Sequence, residues 1–111
     1  SNTPIEANLA SPKAVEAQIE AYLEVIMSSP MESSNSQDYI DAHPAEYQGI
    51  LNLGDEALTY LLAQFEKGGQ NGLKGHIMMA LCKDLLGDRN NVTEEALSPQ
   101  AWYEALSYIG Q

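Results

Sequence analysis

The sequence predicts an all-α fold, a compact bundle of five or six antiparallel helices. Three observations lead there. Apolar residues recur at i, i+3, i+4 and i+7 in successive segments, which is the spacing of one helix face. Ser-Pro pairs and glycines bracket those segments as starts and stops. No stretch combines apolar/polar alternation with the β-branched enrichment a strand requires. A chain of 111 residues holds one domain of modest size. The expected division is a flexible arm over residues 1–10 and a single helical domain over 11–111.

Each element has its own signal. Ser11-Pro12 opens the first helix, because Ser caps free amides and Pro loses nothing at the first helical position. Val15, Ile19, Tyr22, Leu23 and Ile26 form its apolar stripe, and Pro30 ends it near Ser28. Residues 28–37 are a polar, Ser-rich connector. Within it, Ser34 with Gln37 has the form of a capping box leading to a short helix around Asp38–Ala42. Pro44 restarts the chain into a helix with Tyr47, Ile50 and Leu51 inward and Gly54 as its stop.

Asp55 is expected to cap a helix carrying Leu58, Leu61, Leu62 and Phe65, closed by Gly68-Gly69. Asn71 is expected to cap the next, which runs to Leu86 and stops at Gly87. On that helix Ile77, Met78, Met79, Leu81, Cys82, Leu85 and Leu86 cover roughly 200° of the wheel, so it should be the central helix. After a polar connection with Thr93-Glu94-Glu95, Ser98-Pro99 repeats the start signal. Trp102, Ala105, Leu106 and Ile109 stripe the last helix.

Charge narrows the function. Sixteen acidic and five basic residues give a net charge of −11, which argues against neutralising nucleic-acid phosphates or anionic membranes. Residues 1–66 carry −10 of it, with Lys13 as their sole cation. No apolar run approaches the roughly 18 residues of a membrane span, so no direct membrane insertion is expected. Cys82 is the single cysteine and has no internal disulfide partner.

The run Gly54-Asp55-Glu56-Ala57-Leu58, then Leu61-Leu62, Asn71-Gly72-Leu73-Lys74, Ala80-Leu81 and Leu86-Gly87 resembles one HEAT-type helical repeat over residues 54–87. Leu53-Gly54-Asp55 and Leu86-Gly87-Asp88 lie 33 residues apart, a plausible repeat period. A shift by that period brings Ile50 onto Lys83 and Leu51 onto Asp84, so the resemblance implies one HEAT-like hairpin inside a compact bundle rather than a solenoid. The Ser-rich connector, Asp38-Tyr39-Ile40 and the Gly54–Leu58 run are also similar to small helical modules of Gram-positive bacterial lipoproteins and membrane-anchored sensor metallopeptidases. That likeness implies an exported, extracytoplasmic module, and Ser1-Asn2 has the form of a tag remnant on a piece cut from a longer protein.

Candidate chemistry is sparse. His43, His76 and Cys82 lack zinc-ligand spacing, and the acids fit no EF-hand loop, so no metal or cofactor is expected. Glu16, Glu20 and Glu24 in a row do not face one another across a cleft, as glycoside hydrolysis requires. No Gly-x-Ser-x-Gly elbow is present. Tyr39, Tyr47, Tyr60, Tyr103 and Tyr108 exceed the evident needs of the core, and tyrosine suits binding surfaces. The expected function is a non-enzymatic protein-interaction or regulatory module. Because the second helix of a HEAT-type pair commonly lines the binding side, His76, Lys83 and Asp84 are the first partner-binding candidates, with Tyr39, His43 and Tyr47 beside them. The alternative is an acidic inhibitor or immunity-type protein that masks a basic partner.

Overall fold

The computed structural model describes residues 11–107. The arm expected over residues 1–10, Tyr108, and the Ile109 expected on the last helix's stripe lie outside them. Among the described residues there are six α-helices and no strand: α1 (Pro12–Met27), α2 (Ser36–Ala42), α3 (Pro44–Leu51), α4 (Asp55–Glu66), α5 (Leu73–Leu86) and α6 (Pro99–Ala105), with a 3₁₀ turn at Gly87–Arg89. This is the all-α bundle that the periodicity predicts.

Local signals set both ends of α1. Ser11 accepts a hydrogen bond from the Ala14 amide, Pro12 opens the helix, and it stops at Met27. Ser98 and Pro99 start α6 in the same way, with Ser98 accepting from the Ala101 amide. Three caps differ from expectation. Asn35, not Ser34, caps α2, its side chain accepting from the Gln37 amide. Asp55 is the first residue of α4 rather than its cap, because Gly54 at φ 62° turns the chain there. Gly72 precedes α5 without a side-chain cap, since Asn71 is turned away to accept from the Gln100 amide at 3.0 Å.

The central position of α5 follows from its wide apolar face. It touches each of the other five helices, and Ile77, Met78, Leu81 and Cys82 are fully buried. Ile19, Leu23 and Ile26 of α1, Ile50 of α3, Leu61 and Phe65 of α4 and Trp102 of α6 complete the core. The Trp102 and Phe65 rings meet edge to face with centroids 5.9 Å apart, and Tyr103 stacks on Phe65 at 5.4 Å. No buried side-chain polar atom of the described residues lacks a partner.

Candidate functional site

Two surface depressions stand out. The larger is a groove of about 660 Å³ between α1 and α4. Pro12, Val15 and Glu16 form its α1 wall. The α4 side consists of two adjacent i, i+4 rows, Asp55-Thr59-Ala63 continuing to Lys67, and Glu56-Tyr60-Gln64. These rows lie opposite Leu58, Leu61 and Phe65, so α4 buries one face and leaves the other open. Thr59 and Ala63 are exposed and small. Glu16 and Glu56 make no ion pair among the described residues. Asp55 approaches Arg89 at 3.8 Å yet keeps 85% of its side chain exposed.

Beside the groove stands a polar triple that joins three helices. Lys74 of α5 donates to Glu20 of α1 at 2.8 Å, and the Tyr60 hydroxyl of α4 donates to the other Glu20 oxygen. Burial opposes ionisation of Glu20, but the bonds from Lys74 and Tyr60, with the charges of Lys74 and Lys67, outweigh it and hold its carboxyl below the usual value. Burial, then the bond to Glu20 and the nearby carboxylates, push the Tyr60 hydroxyl well above its usual value. No local sequence pattern pairs these residues, since 54 positions separate Lys74 from Glu20 and 40 separate Tyr60 from it.

The smaller cleft, of about 570 Å³, lies between the connector with α2 and the start of α5. Tyr39 and His76 both line it, so the structure brings together two of the sequence candidates. His76 is exposed, and its Nδ1 donates to the Gly72 carbonyl at 3.1 Å. The Tyr39 ring is buried and its hydroxyl donates to the Ser33 carbonyl. Tyr47 and Asp84 also meet, the hydroxyl donating to the carboxylate at 2.7 Å. Burial and this acidic partner drive the Tyr47 hydroxyl far above its usual value. His43 lies apart, with Nε2 at 2.9 Å from the Ser29 hydroxyl. Lys83 is half-buried and makes no ion pair among the described residues. The strip of His76, Lys83 and Asp84 is thus flanked by α2 and α3, and much of its polar capacity is engaged within the fold.

The chemistry available is limited. No group of three or more His, Cys, Asp or Glu among the described residues is arranged to hold a metal ion. The Cys82 thiol is fully buried, and burial pushes it up to about 12, so it is not poised as a nucleophile. Ser29 and His43 form a hydrogen-bonded pair, but no carboxylate of the described residues orients His43 from its other side. No described helix is long and apolar enough to cross a membrane. No family model, curated protein or solved structure matches the chain.

Proposed function

We propose that the chain is a non-enzymatic protein-interaction or regulatory module that engages a basic protein partner through its acid-rich α1–α4 side. The observation that carries this reading is the groove between those helices. It offers apolar surface at Pro12, Ala63 and the half-buried Tyr60 ring, bordered by the carboxylates of Glu16, Asp55 and Glu56. Three carboxylates against the single lysine of the lining, Lys67, leave the concave surface net acidic, which attracts the opposite charge and speeds encounter. The acidic half of the chain, −10 over residues 1–66, supplies the longer-range field.

The likeness of residues 54–87 to a HEAT-type unit fits the same reading, with α4 and α5 as the helical pair. The cleft of Tyr39 and His76, with Lys83 and Asp84 along α5, is the second contact surface. The partner's own behaviour separates a recruiting module from the masking, immunity-type alternative: a masked enzyme loses its activity on binding, whereas a recruited one keeps it.

Affinity capture from the native host at rising ionic strength tests the reading. The expected result is one reproducible basic partner, retained in dilute buffer and released as salt screens the acidic surface. Absence of a reproducible partner, or retention that ignores ionic strength, overturns it.

A further inference from the structure

The geometry points to a specific occupant for the α1–α4 groove: one amphipathic helix of a partner protein, lying antiparallel to α4, with Lys and Arg gathered in its C-terminal half. This rests on the reading of the chain as an interaction module and names the element that module takes.

The dimensions suit a helix. The open face runs the whole of α4, whose 12 residues span about 18 Å at 1.5 Å per residue. An incoming helix of similar length matches that run over three turns. The row Asp55-Thr59-Ala63-Lys67 is an i, i+4 ridge of the kind that helices interleave when they pack. Its two middle members are small, so a second helix axis can approach closely there. Val15 and Pro12 of α1 form a side wall, giving the occupant two helices to lie between.

Charge sets the direction. Asp55 and Glu56 stand in the first turn of α4, while Lys67 stands just past its other end. The open side of α4 is therefore acidic at the Asp55–Glu56 end and close to neutral at the other, where Glu66 offsets Lys67, with Glu16 adding a third carboxylate to the groove from α1. A helix that places its C-terminal turns beside Asp55 and Glu56 opposes the α4 dipole with its own. Cations in those last turns also favour the incoming helix itself, because a helix C-terminus carries partial negative charge. Parallel binding satisfies neither condition.

The test displays a library of 16-residue helix-biased peptides of random surface charge and selects it against the full chain. Enriched peptides should gather Lys and Arg in their C-terminal halves. They should weaken at least tenfold on Ala63→Arg, a change at an exposed position that spares the core, and should weaken further with added salt. Their amide shift changes should centre on Thr59 and Ala63. Enrichment without that polarity, affinity unchanged by Ala63→Arg, or shifts centred on Tyr39 and His76 would each overturn the assignment. Self-association of the chain that Ala63→Arg abolishes would make a second copy the occupant and also overturn it. A host partner that the Ala63→Arg chain still captures and that salt still releases leaves the acidic-side reading standing while the helix assignment falls, so the two failures are distinguishable.

Discussion

Gly75 occupies a place where a methyl group has no room. A Cβ there would lie 1.9 Å from the Gln70 carbonyl oxygen and 2.5 Å from its carbon, both backbone atoms that cannot swing aside. Ordinarily alanine in a helix interior is better than glycine by roughly 0.5–1 kcal/mol. Here the sign reverses, and Gly75→Ala should destabilise the fold by about 3 kcal/mol in urea unfolding; an unchanged or higher midpoint would show that the turn before α5 does not press on it. Glu20 makes a different prediction. Its carboxyl is held below the glutamate value of 4.5, so the folded state favours the ionised form. Stability from this source is present above that pH and fades as pH falls through and below it. With both Glu20 and Lys74 side chains 37% exposed, Glu20→Gln should cost about 1 kcal/mol or less at neutral pH. In thermal melts the gap between the two proteins should close on acidification, and a gap constant across pH would contradict the Lys74–Glu20–Tyr60 arrangement.

Between elements, one side chain ties the start of α6 to the α4–α5 turn. Gln100 donates to the Phe65 carbonyl and accepts from the Gln70 amide, each at 3.0 Å, while its own amide donates to Asn71. Gln100→Ala should cost about 1–3 kcal/mol, because it leaves the part-buried Gln70 amide without its acceptor. Hydrogen exchange at the Gln70 amide should quicken with it, and protection unaltered from the wild type would count against the tie. The same residues explain what could be read in advance. Ser11 and Ser98 were legible as caps because each bonds an amide three residues on. Asn71 has the look of a cap too, but its side chain accepts from the Gln100 amide 29 positions away, which no local pattern signals. The α5 stripe was legible since contact with five other helices requires a wide apolar arc. The groove was harder to see: its one sequence signal is the small pair Thr59 and Ala63, spaced i, i+4 on the face opposite Leu58, Leu61 and Phe65. The Glu20 triple draws on α1, α4 and α5, and no local pattern links them.

For the molecule as a whole, a fully apolar interior and an acidic exterior divide the labour. Ile77, Met78, Leu81 and Cys82 anchor α5 among all its neighbours, and the described core contains no buried charged or polar residue. What remains for function is the surface, where the α1–α4 side combines concavity, apolar area and the exposed carboxylates of Glu16, Asp55 and Glu56. Site-specific photo-crosslinking in the native host addresses that claim most directly, with the photoreactive group placed at Ala63 in one protein and at His76 in another. The account predicts that the Ala63 position captures a Lys- and Arg-rich helical segment, and that Glu16→Lys with Glu56→Lys abolishes the adduct. Capture at His76 alone, or an Ala63 adduct indifferent to those charge reversals, would contradict it.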